Sequence, residues 1–151
     1  MIDSRAKGAR IESEAKKLLI EHTGLNWQRV PGSGALDPKH KLKGDLYIPE
    51  LNNVYCVEVK GYAEDHLNSS LLTGKTPQLL EFWLQAVRQG KQVGKKPLLI
   101  FKFDRSKFFV CFEDMPTTDH YRWIFAQVEQ HEFYISQLKD WLQYESPKFL
   151  V

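Results

Sequence analysis

The stretch that decides the architecture is Gly44–Gly61, GDLYIPELNNVYCVEVKG. Asp45 to Ile48 and Val54 to Lys60 are runs of β-formers, and Pro49-Glu50-Leu51-Asn52-Asn53 between them has the Pro and Asn content of a hairpin turn. Side chains two apart on a strand share a face, so Val57 and Val59 point one way while Cys56, Glu58 and Lys60 point the other. Glu-x-Lys on the solvent face of a strand is ordinary. Here the pair is embedded in an apolar run, where charges require partners.

Upstream, Ser4 to His22 carries Ile11, Ala15, Leu18, Leu19 and His22 at helical spacing, with Gly24 as the stop. Gly8 predicts an irregular first turn or a close approach of something to the backbone. Leu25 to Val30 is expected to be a strand, and Pro31-Gly32-Ser33-Gly34 then opens a lysine-rich loop that runs to Gly44. Downstream, a loop from Gly61 to Lys75 leads to Thr76-Pro77, read as an N-cap and a first helical proline. Leu80, Trp83, Leu84 and Val87 give that helix its buried stripe. Leu98 to Phe103 and Phe108 to Phe112 are expected as a hairpin of central strands around Asp104-Arg105-Ser106. Tyr121 to Gln130 fits strand or helix, and Ser136 is placed to cap a short helix through Leu142. The order α-β-β-β-α-β-β predicts an α/β fold, a mixed central sheet flanked by helices.

The 151 residues, 42% hydrophobic, are sized for one domain (1–151), with a core over about 5–112 and a tail of 113–151. Net charge is only +2, so composition does not by itself indicate nucleic acid. The distribution is less even: Arg5, Lys7, Arg10, Lys16 and Lys17 crowd the first segment, and Lys39, His40, Lys41 and Lys43 share one loop. Lys91, Lys95 and Lys96 form a third group. Such runs are either solvated faces or flanks of an anionic ligand. Cys56 and Cys111 have neither a CxxC pairing nor a nearby His, which argues for reduced thiols and against zinc. No apolar stretch is long enough to span a bilayer, and the N-terminus lacks a signal-peptide core, so an intracellular protein, cytoplasmic or nucleoid-associated, is expected. No phosphate-cradling glycine loop predicts a nucleotide cofactor, and no nucleophile elbow is present.

Asp45, Glu58 and Lys60 form D-x12-E-x-K. If the two strands pair, Asp45 lies beside Glu58, and two neighbouring carboxylates call for a counter-charge. Mg2+ prefers oxygen donors and binds through one or two carboxylates plus phosphate oxygens. Lys60 on the same face is placed to orient or deprotonate an attacking water and to stabilise charge developing on phosphorus. The pattern alone also fits a generic α/β domain with incidental spacing.

Several segments, in order, resemble the archaeal-type Holliday junction resolvases of the PD-(D/E)XK nuclease superfamily. They are Arg5-Ala6-Lys7-Gly8 with Glu12, Arg29-Val30-Pro31-Gly32-Ser33-Gly34, Gly44-Asp45-Leu46, Val57-Glu58-Val59-Lys60, Gln78, and Pro97 before the strand ending Phe101-Lys102-Phe103. The resemblance spans about 5–103. It implies a restriction-endonuclease-like fold, a metal set of Glu12, Asp45, Glu58 and Val59, Lys60 as catalytic lysine, and Ser33 close to the scissile phosphate. Arg5, Lys7, Arg10, Arg29, Ser33 and Gln78 become candidate DNA contacts, cations positioning a duplex through its phosphates. It further implies Mg2+ (or Mn2+) as cofactor, branched or double-stranded DNA as substrate, and a homodimer, since two strands must be cut; a virus-encoded origin is compatible with this. Glycine stands at Gly44 where the family often has proline. Nicking, repair and restriction nucleases share the motif, and a junction-binding protein without turnover would share the fold.

Overall fold

The hairpin forms, but its first arm is short: strand β2 is Leu46–Tyr47, while β3 runs from Tyr55 to Tyr62. The computed structural model describes residues 4–31, 43–49 and 51–151, with nothing described for the side chains of Ser4 and Arg5. The turn between these strands is built on Asn53, whose buried amide accepts from Ile48 N (2.8 Å) and donates to the carbonyls of Ile48 and Leu51 (2.9 Å each). One side chain thus satisfies three backbone groups that the turn would otherwise leave without partners.

Helix α1, Ser4–Thr23, precedes β1, Gln28–Arg29. Gly24 ends α1 in the left-handed conformation (φ +70°), its N–H on Ile20 O. The ladder after α1 is shorter than the expected Leu25–Val30 because Thr23 Oγ1 accepts from Leu25 N and from Trp27 Nε1, folding this stretch back onto the helix end. Gly8 lies inside the regular helix, and a Cβ there would meet no described atom outside the helix's own backbone within 4 Å.

After β3 come a short helix α2, Ser70–Thr73, helix α3, Gln78–Val93, and strands β4, Lys96–Phe103, and β5, Phe109–Phe112. Helix α3 begins one residue later than Thr76-Pro77 suggests. Pro77 holds an extended conformation (φ −57°, ψ 139°) and is itself the N-cap, with Thr76 making no side-chain cap. The tail contributes β6, Trp123–Val128, and β7, His131–Gln137, then helix α4, Leu138–Asp140, and a π-helical turn at Trp141–Glu145. Ser136 therefore lies in a strand rather than capping a helix, and Tyr121 to Gln130 resolves as strand.

One seven-stranded sheet results, in the order β1-β2-β3-β4-β5-β7-β6. β3 and β4 are parallel and every other pair is antiparallel. A parallel pair needs a crossover, which α3 supplies. Val57, Val59, Leu98 and Ile100 pack with Ile11, Ala15 and Leu19 of α1. Leu99, Phe101 and Cys111 pack with Leu79, Leu80, Trp83 and Ala86 of α3. Valines face one layer and Glu58 the other, as the alternation requires. The aromatic tail completes the core: Trp141 packs against Phe112, Tyr55 and Phe149. No helix among the described residues is long and apolar enough to cross a membrane.

Candidate active site

Asp45 is delivered to Glu58 by the sheet. Leu46 pairs with Val57, so one step back along antiparallel strands Asp45 stands opposite Glu58, on the same face. The backbone of Asp45 is held on both sides, with N–H on Val57 O (2.7 Å) and C=O taking Val30 N–H (2.9 Å). Its Oδ2 accepts the Val59 N–H at 2.7 Å. Val59, the sequence's fourth metal candidate, has its side chain in the α1-side core, so only its backbone faces this site.

Glu58 is 3% exposed. Burial pushes its carboxyl up to about 8, the Asp45 charge adds to the rise, and Lys60 opposes it. Burial raises Asp45 too, against the Val59 N–H and Lys60. The two carboxyl groups act on each other at close range, and the charge of Asp45 favours a proton on Glu58. Lys60 is half-buried, its Nζ 5.2 Å from the centre of the Phe82 ring on α3.

Glu12 reaches the same neighbourhood from α1 because Gly61 has no side chain. A Cβ at Gly61 would overlap Ile11 Cδ1, so the helix lies close to the end of β3. Glu12 is 7% exposed and pairs with Arg29, whose Nη2 is 3.4 Å from both carboxylate oxygens. Burial and then the Asp45 charge raise its carboxyl, and Arg29 lowers it. Two buried carboxylates, Glu12 and Glu58, and the half-buried Asp45 thus act on one another against two cations, Lys60 and Arg29. A hard divalent cation fits this donor set, since it prefers carboxylate oxygens and would offset the repulsion between Asp45 and Glu58. Among the described residues no three acidic, His or Cys groups converge as ready-made ligands, so the pair Asp45–Glu58 is the core of the candidate site and Glu12 is engaged by Arg29.

The other candidate contacts are spread out. Lys7 is ion-paired with Asp104 at 2.9 Å, and Arg10 is exposed on the same helix. Gln78 is exposed, its amide donating to Glu81 at 3.3 Å within the first turn of α3, and no described contact ties it to the acidic pair. Ser33 and the loop holding Lys39, His40 and Lys41 lie outside the described residues, as does the side chain of Arg5. Sequence reasoning missed Gln89, whose Oε1 accepts the Gly44 N–H at 3.1 Å. A glutamine late in an amphipathic helix gives no signal of such a role.

Comparison with known proteins places this geometry. Residues 3–148 match the family model described as "Phage putative PDDEXK endonuclease", so the match takes in the tail as well as the motif region. Protein D14 of Escherichia phage T5 is 37% identical over 157 aligned positions, covering 99% of this chain and 98% of that protein. The structure of Archaeoglobus fulgidus Hjc, a Holliday junction resolvase from an archaeal hyperthermophile, is 21% identical and covers 84% of this chain and 85% of that one, with a TM-score of 0.44. At that score the likeness is remote, and nothing about substrate follows from it.

Proposed function

This chain belongs to the phage PDDEXK endonuclease family, and from that membership we propose that it is a Mg2+-dependent enzyme cutting phosphodiester bonds in branched DNA, resolving four-way junctions as a homodimer. The observation that carries the reading is the pairing of half-buried Asp45 with buried Glu58, with Lys60 on the same face of β3. Junction specificity is supported by the order of motifs shared with the archaeal-type resolvases.

In this reading Asp45 and Glu58 would hold the cation, with the Val59 carbonyl and Glu12 as further candidate ligands. A bound divalent cation supplies Lewis-acid polarisation of the scissile phosphate and a bound water of lowered pKa. The chain's own groups do the rest. The Val59 N–H keeps the Asp45 carboxylate turned toward Glu58. Lys60, braced over Phe82, presents its ammonium to the attacking water and to charge gathering on phosphorus. Arg29 and Arg10 position the duplex through its backbone, and Lys7, Arg5, Ser33 and Gln78 extend that contact.

The test is a labelled synthetic four-way junction beside linear duplex of the same sequences, each with Mg2+ or with chelator. Paired cuts in the junction alone, abolished by chelator, are expected. Full cutting in excess chelator refutes the metal site, and equal cutting of linear duplex refutes junction specificity while leaving the nuclease intact.

A further inference from the structure

Asp45 stands immediately before a two-residue strand, so its placement depends on the turn that enters β2. That turn is Gly44, at φ +86°, where a Cβ would sit 2.6 Å from Val57 O. No L side chain, proline included, fits this position in this conformation. A proline ring would have fixed the backbone by itself; glycine leaves it the freest of all residues. The sheet bonds hold Asp45 itself, and Gly44 takes a further contact from another layer.

We propose that Gln89 of α3 is a positioning residue for Asp45, its side-chain carbonyl clamping the Gly44 N–H and so fixing the turn that brings the Asp45 carboxylate to Glu58. Because Gly44 offers a donor, only the Oε1 end of the amide can face it, and the two are 3.1 Å apart. Proline would lack that N–H, so the glycine and the clamp belong together. The anchor is firm, since α3 is bedded on the sheet by Leu79, Leu80, Trp83 and Ala86. The same helix braces Lys60 through Phe82. One layer therefore sets both the acidic and the basic parts of the site, and a shift of α3 would move them together. The clamp is distinct from the bonds Asp45 makes to Val57, Val30 and Val59, all of which come from the sheet side.

The inference rests on the metal-site reading of Asp45, and two variants test it. Gln89→Met keeps the length and removes the acceptor, whereas Gln89→Glu keeps an acceptor. In metal-free protein we expect Gln89→Met to speed Gly44 amide exchange about fivefold, the worth of one neutral hydrogen bond, with Tyr55 and Ile100 amides unchanged. Mn2+ affinity should fall by about the same factor, with kcat lowered and KM for DNA unchanged, and Gln89→Glu should restore both exchange and affinity. Wild-type exchange at Gly44 and wild-type Mn2+ affinity in Gln89→Met overturn the proposal, as does an equal loss of protection across β3 and β4, which would mark a general structural role. Wild-type protein that binds no Mn2+ overturns the metal reading instead, and the Gly44 exchange rates then still decide the clamp.

Discussion

Replacing Glu58 by glutamine should stabilise the metal-free protein at high pH while destroying its response to metal. A carboxyl whose value is raised by folding binds more protons in the native than in the unfolded state, so stability falls as pH climbs. For Glu58 the fall begins near 4.5 and is complete above about 8. At about 1.36 kcal/mol per unit, the shift sets a ceiling of roughly 5 kcal/mol. Interior groups respond as if in a medium more polar than dry protein, so on the order of 2 kcal/mol is the realistic cost. For a chain of this size that corresponds to about 4–8 °C in Tm.

Glutamine has the shape of the protonated acid and can still donate to Asp45, but it never ionises. Thermal unfolding followed by calorimetry in chelator should therefore give matching Tm values for wild type and Glu58→Gln near about pH 5. Near about pH 9 the variant should melt about 4–8 °C higher. Mg2+ should raise the wild-type Tm in a concentration-dependent way and leave the variant unmoved, since only a ligand that binds the native state stabilises it. A variant destabilised equally at both pH values would show that Glu58 is held by packing the structure does not reveal, and the reasoning would fail.

Three other outcomes are expected. Arg10→Ala or Arg29→Ala should weaken DNA binding and lower its salt slope by about one, each lost phosphate contact releasing one fewer counterion; an unchanged slope in a binding titration removes that residue from the interface. Light scattering should give about twice 17.6 kDa, and mixed dimers of wild-type and Lys60→Ala chains should nick one strand only; paired cuts from a monomer refute the dimer. Asn53→Ala should cost about 2–3 kcal/mol in denaturant unfolding, because it strands Ile48 N–H and two carbonyls; a loss under about 0.5 kcal/mol would show that Pro49 holds the turn unaided.

What was legible in the sequence is what period and spacing encode. Alternation placed Glu58 and Lys60 on the face opposite Val57 and Val59, and the core divides along that line. The helical stripe of α1 at Ile11, Ala15, Leu18 and Leu19, the Gly24 stop and the central position of β4 were legible for the same reason, whereas His22, expected on that stripe, is exposed. The tail was not, because the hairpin between β6 and β7 turns on Glu129 and Gln130, both at positive φ, where Asn-Gly would have announced it. The short β1 was hidden by Thr23, which draws Leu25 and Trp27 back to the helix through side-chain bonds that no periodicity records. In the site, the Glu12–Arg29 pairing depends on helix and strand meeting across Gly61, and the Gln89 contact depends on the backbone of Gly44. Both are tertiary facts.

The placement of Glu58 bears most directly on function. β3 is a central strand covered on both faces, and Val57 and Val59 show what such a strand ordinarily carries. A carboxyl at that depth is costly unless paired with a cation at hydrogen-bonding distance, yet the charge that raises Glu58 further comes from a neighbouring carboxyl, Asp45. Lys60 lowers the cost without removing it, since the carboxyl remains well above its ordinary range. Packing alone would be better served by an apolar residue at this position, as exchange of buried charges for apolar side chains generally shows. The pair therefore stands against stability in the metal-free protein. A proton on Glu58 relieves it at low pH; under the proposed reading a cation would do so once both groups ionise, with Lys60 on the same face of β3.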